Sequence, residues 1–596
     1  MKFLSIRILS PIFLCLLLLL PLTPFDHHYE HSNFWPNHLD EFSYLDQVSL
    51  GRENLSNTSF YIEHEQILSD SAILKQNVSS FIDVLVGKIF YKVHPYLIGF
   101  ILDLLCIFIS FYLLVGICDF FSLNRTISSL CALLALSCPQ LISLDSSGIF
   151  PAQIGGVLLN APISAHMSTS AVRGVYTQIG FVVFLATVYL ALSDLMNKRV
   201  TYRLLLAAAA SGLSVHIYFF AWLSGIFILN VFILTLCVLA IFRRSEIKVF
   251  LKAAIAFGFI SLLFSLPGLY LIKYLGASLI TVCAPEIAKY WYFSPEWVLT
   301  LMIAGGVSYF LTRRLPQAEN FYLGCFVCSL IFAPLVLMNI QPISSCILSP
   351  FRVSFFLIPT YSALVLVLFY KYFATYSRKL AFVGLCVLCG IALQNLAVRN
   401  YGRLFSTARI DSKTLELMSF LKNKNLLQKT YAMWPSSEAL AERLPTKFEI
   451  RVLPSILRSA YGIHLLSQSW IYPGELSIAE IAEREMYSTW LFRGKLDLFI
   501  PCEFFRHALP YPGDILELTW MAHLIVRQQL CAYINRNPPE LCSLIDRYQV
   551  DYLVMDLPEK VPFSLRSFLI KEWSSQDGKI ILYKIDKALM KQNECE

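Results

Sequence analysis

Nearly every long apolar segment of this chain carries Lys or Arg at only one end, and the charged ends alternate from one segment to the next. A helix needs about 20 apolar residues to cross a bilayer, and basic residues collect in cytoplasmic loops. Hydropathy and charge therefore select the same threading, that of a mainly α, polytopic membrane bundle of about 11 spans. The spans are Ile8–Phe25, Tyr96–Ile117, Thr126–Leu144, Val175–Leu195, Tyr202–Ile217, Tyr218–Phe242, Val249–Leu271, Trp297–Leu311, Phe321–Met338, Val353–Tyr370 and Leu380–Ala397. The fifth and sixth come from one apolar run, split near His216. Composition agrees: 56% of residues are hydrophobic and 15% charged, against a soluble norm of about 25% charged.

The basic flanks orient the chain. Lys2 and Arg7 precede the first span, and Arg125 separates the second from the third. Lys198, Arg199 and Arg203 follow the fourth, and Arg243, Arg244, Lys248 and Lys252 follow the sixth. Arg313 and Arg314 follow the eighth; Lys371, Arg378 and Lys379 follow the tenth. Placing these segments inside makes the N-terminus cytoplasmic and everything after the last span extracytoplasmic. The net charge of +7 sits mainly in these loops, so it is a topology signal and excludes a nucleic-acid surface. The first span has the basic start and apolar middle of a signal peptide. Pro21 and Pro24 stand where a small-x-small cleavage site would be, which favours an uncleaved anchor.

Four regions follow: an anchor over 1–25, an outer loop over 26–95, a multi-span body over 96–397, and an extracytoplasmic C-terminal α/β domain over 398–596. The loop is too long for a simple connector. In the tail, Ser412–Lys422 reads as an amphipathic helix. Thr430–Met433, Val550–Met555 and Lys579–Tyr583 read as strands, and Ser477–Phe492 and Thr519–Asn535 as helices. Most of the 16 cysteines fall in apolar spans, where Cys behaves as a small hydrophobe. Cys502, Cys531 and Cys542 lie in the polar tail and can pair if that tail meets an oxidising compartment.

Chemistry-bearing residues gather on the outer side. Asp40 and Glu41 are adjacent carboxylates shortly after the first span. Such a pair acts as a general base toward a hydroxyl, ligates a divalent cation, or is simply solvated. His27, His28, His31 and His38 precede it without metal-site spacing. Asp103 lies about two turns into the second span, where a carboxylate lines a wet groove or bonds to a neighbouring helix. His94, Arg173, Lys289 and Arg352 are the outer cationic candidates; each contacts a phosphate or snorkels to headgroups. His216, Tyr218 and the Tyr290-Trp291-Tyr292-Phe293 cluster read as interface anchors. Asn54, Asn57 and Asn77 fit the glycosylation pattern, which matters in a eukaryotic secretory host.

The first span, the acidic pair near the start of a long outer loop, the many-span body and the outer tail together resemble the glycosyltransferase C (GT-C) superfamily. Asp40-Glu41-Phe42-Ser43-Tyr44-Leu45 is similar to the acidic-pair-then-Tyr pattern of its bacterial branch of lipid-A arabinose transferases. Ser477-Ile478-Ala479-Glu480 with Glu483-Arg484, and Tyr548-Gln549-Val550-Asp551-Tyr552-Leu553-Val554, resemble tail phrases of unassigned bacterial members. The resemblance implies an inverting glycosyltransferase of the bacterial inner membrane. The donor would be a polyprenyl-phosphate-linked sugar and the acceptor an envelope glycan, lipid or protein. Asp40 then matches the catalytic carboxylate, with Glu41 second. His94, Arg173, Lys289 and Arg352 become candidate phosphate contacts, and Asp103 borders the carrier-lipid groove. The cofactor stays open, because a divalent cation serves some members and not others. The rival readings are a flippase for lipid-linked glycans and a non-catalytic scaffold of the same fold. Transporters tend to show matching repeats, and the two halves of this chain show none.

Overall fold

The computed structural model describes residues 9–12, 14–15, 85–93, 95–121, 124–137, 175–243, 247–275, 306, 318–338, 350–404, 412–426, 431–433, 541–548, 551–555 and 566–595. These residues are mostly helical. In chain order the helices are α1 Pro95–Asp119, α2 Arg125–Ser137, α3 Val175–Met196, α4 Tyr202–Leu213, α5 Phe219–Arg243, α6 Ile247–Leu275, α7 Ala318–Met338, α8 Pro350–Tyr376 and α9 Arg378–Leu404. Among the described residues, four stretches are long and apolar enough to cross a membrane: Leu97–Asp119, Gln178–Met196, Ala221–Ile241 and Ile247–Tyr270. Arg125–Ser137 and Asn320–Ala333 are apolar but shorter. Most of the expected first and eighth spans, Ile8–Phe25 and Trp297–Leu311, lies outside the described residues.

The split near His216 has a local cause. α4 is 12 residues long, about 18 Å at 1.5 Å per residue. It ends at Leu213, short of the expected Ile217, and tightens into a 3-10 turn over Ser214–His216. The Tyr218 N–H then bonds back to the Ser214 carbonyl at 2.8 Å, and α5 sets off.

α8 is the hub of the bundle, packing on α1, α2, α3, α5, α7 and α9. Every residue from 359 to 368 is buried, as expected of a helix that is apolar on all sides. Phe356, at its outer end in the charge threading, packs against Phe181 and Phe184 of α3 and Tyr218 of the turn in tilted and edge-on contacts, with ring centroids 6.1, 6.2 and 5.4 Å away. Leu14 and Cys15 of the first apolar segment belong to the same core.

The α3–α4 turn is held by a buried carboxylate. Asp194 is fully buried and faces the start of α4, where unpaired N–H groups need acceptors. The Thr201 N–H and Leu204 N–H donate to Asp194 Oδ2 at 2.7 and 3.2 Å. The Thr201 hydroxyl donates to the same carboxylate at 2.7 Å, and Arg199 Nε stands 3.6 Å from Oδ1. Lys198 completes the reversal in the left-handed region, at φ 54°. Asp194→Ala should leave two amides without acceptors and lower stability by about 3 kcal/mol, on the scale of bonds to a charged group. The midpoint of thermal unfolding in detergent measures it; a midpoint equal to that of the unsubstituted protein would assign the turn's stability elsewhere.

Beyond α9 the structure describes α10 Ser412–Asn423, β1 Tyr431–Met433, α11 Leu541–Tyr548, β2 Tyr552–Met555, β3 Leu569–Ser574, β4 Ile581–Ile585 and α12 Lys587–Cys595. The strands form one sheet in the order β1-β2-β4-β3, with β1 parallel to β2 and the other pairs antiparallel. Trp573 stacks on Phe420 of α10 at 5.9 Å, packing that helix on the sheet. Gly578, at φ +68°, makes the β3–β4 turn, and Asp577 Oδ1 accepts from the Ser575 hydroxyl and the Lys579 N–H. The expected strands fall on β1, β2 and β4. The sequence reading missed β3, α11 and α12. Its helices at Ser477–Phe492 and Thr519–Asn535 lie outside the described residues.

Candidate functional site

Asp103 sits about 12 Å along α1 by helical rise. Gln178 sits in the first turn of α3. The two helices pack side by side and, in the charge threading, both run inward from the outer face. Asp103 is 8% exposed and Gln178 1%. The Gln178 side-chain amide donates to Asp103 Oδ1, and among the described residues Gln178 Oε1 has no hydrogen-bond partner. Asp103 is thus bonded to a neighbouring helix, one of its two expected roles. The Cys15 and Cys106 thiols lie in its electrostatic neighbourhood, which brings the end of the first described segment to this side of α1.

Farther along the same seam, Phe108, Ile109, Tyr112, Leu113, Gly116 and Tyr189 line a groove of about 310 Å³. Its walls are almost wholly apolar, so a hydrocarbon chain suits it and a polar headgroup does not. A Cβ on Gly116 would lie 2.7 Å from the Tyr189 ring, so glycine there lets the ring sit against the helix.

Of the other expected site residues, Arg352 lies in the first turn of α8. Asp40, Glu41, His94, Arg173 and Lys289 lie outside the described residues, as do the four histidines ahead of Asp40 and the Tyr290 cluster. Among the described residues no group of three or more His, Cys, Asp or Glu side chains is placed to hold a metal ion. His216 has a packing role: a Cβ on Gly268 of α6 would lie 3.0 Å from its ring. Lys371, expected as a cytoplasmic flank, is 8% exposed, and its Nζ donates to Asn320 Oδ1 at 2.7 Å, joining α8 to α7. In the tail, burial first and then the Glu572 and Asp551 carboxylates push the Tyr552 phenol above its ordinary value. Cys542, at the start of α11, is disulfide-bonded.

The residue that sequence reading missed is Gln178. Its signal was faint: a single amide in the apolar run Ile179–Leu192 and its lead-in, with nothing in the one-dimensional pattern pointing to Asp103.

No protein-family model and no curated protein matches the chain. Among solved structures, it is similar to the cryo-EM structure of the arabinofuranosyltransferase AftD from mycobacteria, at 11% identity and TM-score 0.44. That likeness covers 97% of this chain and 40% of the other, so the chain spans well under half the length of that protein. It is also similar to the oligosaccharyltransferase AglB from Archaeoglobus fulgidus, in complex with an inhibitory peptide and a dolichol-phosphate. Here the identity is 9% and the TM-score 0.43, over 97% of this chain and 73% of the other.

Proposed function

We propose that this chain is a membrane glycosyltransferase that moves a sugar from a polyprenyl-phosphate carrier to a glycan, lipid or protein acceptor on the outer face of a bacterial inner membrane. The observation that carries the reading is the buried Asp103–Gln178 pair between two apolar helices, on the side to which the charge threading assigns Asp40 and Glu41. A buried carboxylate in a membrane helix is costly unless it is used or paired. Its amide partner here leaves an acceptor open among the described residues. The disulfide at Cys542 favours an oxidising, extracytoplasmic setting for the tail.

In this reading Asp40 takes the proton of an acceptor hydroxyl as that oxygen attacks the anomeric carbon. The bond from that carbon to the carrier phosphate breaks as the new glycosidic bond forms, and attack opposite the leaving group inverts the centre. Glu41 holds the acidic centre with Asp40. His94, Arg173, Lys289 and Arg352 are the candidates for neutralising the departing phosphate, a task suited to preorganised positive charge. Two adjacent carboxylates are also oxygen ligands of the kind a divalent cation takes; loss of transfer in EDTA, restored by added cation, would identify one.

Mass spectrometry of envelope glycans and carrier lipids, with and without the gene, tests the activity. A transferase predicts a product lacking one sugar and a rise in the charged carrier. A flippase predicts an intact oligosaccharide stranded on its carrier inside, and a scaffold predicts neither. Topology has its own test. Reporters fused after Tyr370 and after Arg399 should report opposite compartments, and an impermeant thiol reagent should label the tail of intact spheroplasts more strongly after reduction than before it. Equal reporter signals would overturn the threading.

A further inference from the structure

We propose that Asp103 and Gln178 form a hydroxyl-reading subsite for the sugar of the lipid-linked donor, an inference that rests on the glycosyltransferase reading above. The two residues are 75 positions apart in sequence and meet through the Gln178 amide. That bond turns the amide nitrogen toward Asp103 and commits it there. It leaves Gln178 Oε1, on a residue 1% exposed, as an acceptor with no donor among the described residues. A staple between helices has no need of a spare buried acceptor, and leaving one unmatched is unfavourable. A bound group that donates hydrogen bonds removes the mismatch.

The chemistry of that group follows from the pair. Both atoms offered are oxygens that accept, and among the described residues no Lys or Arg is paired with Asp103. A phosphate brings only acceptors and negative charge, so it is repelled. A sugar ring brings neighbouring hydroxyls, each a donor, and two of them can bond the carboxylate and the amide oxygen together. Recognition of this kind is selective, because an analogue lacking the hydroxyl leaves the buried acceptors unpaired. His94 and Arg173, the candidate phosphate contacts, immediately precede α1 and closely precede α3 in sequence. Sugar and phosphate are thereby assigned to different residues of the same two chain segments. Gln178 is in this view a positioning and specificity residue, and Asp40 keeps the proton.

The test compares full-length protein purified from its own membranes with Gln178→Met, Asp103→Asn and the double variant Asp103→Leu/Gln178→Leu. Replacing both buried polar partners by apolar groups of similar size is close to neutral for folding, so the double variant remains informative if a single one does not accumulate. Co-purifying lipids are quantified by mass spectrometry as the ratio of sugar-charged to bare polyprenyl phosphate. The unsubstituted protein should be enriched in the charged form, and the Gln178→Met and double variants should lower the ratio about tenfold, as expected for one lost recognition bond, with the bare carrier still retained. An equal ratio in all proteins overturns the subsite and leaves the glycosyltransferase reading standing. Absence of any charged carrier from the unsubstituted protein, together with unchanged glycans on deletion, overturns the glycosyltransferase reading and the subsite with it. Loss of charged and bare carrier alike from the double variant, with its unfolding midpoint unchanged, also overturns the subsite, since it makes the pair a contact for the lipid rather than the sugar.

Discussion

Asp40→Asn should accumulate to normal levels in the membrane and lose glycosyl transfer almost completely. The substitution keeps the size of the side chain and most of its hydrogen bonding while removing the charge that accepts a proton. Loss of a general base costs about 10²–10⁴-fold in rate, whereas a substitution in a solvated loop shifts stability by at most about 0.5 kcal/mol. The variant should therefore fail to complement a deletion while remaining detectable at full abundance. Glu41→Gln should show an equal or smaller defect, and Asp46→Asn, farther along the same segment, little. Full restoration of the glycan by both Asp40→Asn and Glu41→Gln would remove the acidic pair from the mechanism and bring the flippase and scaffold readings forward.

Gly212→Val should disrupt the bundle more than any other single substitution considered. Gly212 lies where α4 comes close to α6: a Cβ there would lie 2.5 Å from the Ser261 carbonyl oxygen and 2.7 Å from Phe264 Cβ. The first of these is backbone and cannot rotate away, so the helices must separate. The separation would also strain a chain of hydrogen bonds in which the Trp222 indole donates to Ser265 Oγ at 2.6 Å and Ser265 Oγ donates to the Ser261 carbonyl at 2.6 Å. Overpacking of this kind costs about 1–3 kcal/mol and more where backbone must move. Gly384→Ala in α9 is the control, because a Cβ there meets nothing within 4 Å, and replacing a helical glycine by alanine is worth about 1 kcal/mol in the stabilising direction. Detergent-extracted protein should show a lower unfolding midpoint, or loss of the monodisperse species, for Gly212→Val and an unchanged or higher midpoint for Gly384→Ala. Equal midpoints would show that α4 and α6 are not packed this closely.

What could be read along the chain is what depends on neighbours in sequence. Tyr202–Leu213 and Phe219–Arg243 were separable at His216 because an apolar run longer than one bilayer thickness has to turn, and polar or aromatic residues mark the turn. Val550–Met555 reads as a strand because β-branched and aromatic residues crowd it, and β2 lies within it. The basic flanks orient the threading because charge stays on one side of a membrane during insertion. Asp40 and Glu41 stand out because adjacent carboxylates beside an apolar segment are rare. β3 escaped notice because Leu569–Ser574 carries Lys571 and Glu572 in its middle, and only pairing with β4 makes it a strand.

Asp103 was visible as a carboxylate in an apolar helix, but its partner was not. Gln178 is one uncharged amide 75 residues away, and hydropathy gives it no weight. Lys371 likewise read as a cytoplasmic flank until the packing of α8 on α7 buried it against Asn320. Gly212 was one small residue among the alanines of α4 until the carbonyl of Ser261 approached it. Apolar segments and the places where they turn were legible along the chain, because those follow from the transfer of local segments between water and lipid. Only the tertiary structure decided which polar atoms meet between helices, because inside an apolar bundle a lone donor or acceptor is satisfied by whatever the packing brings beside it.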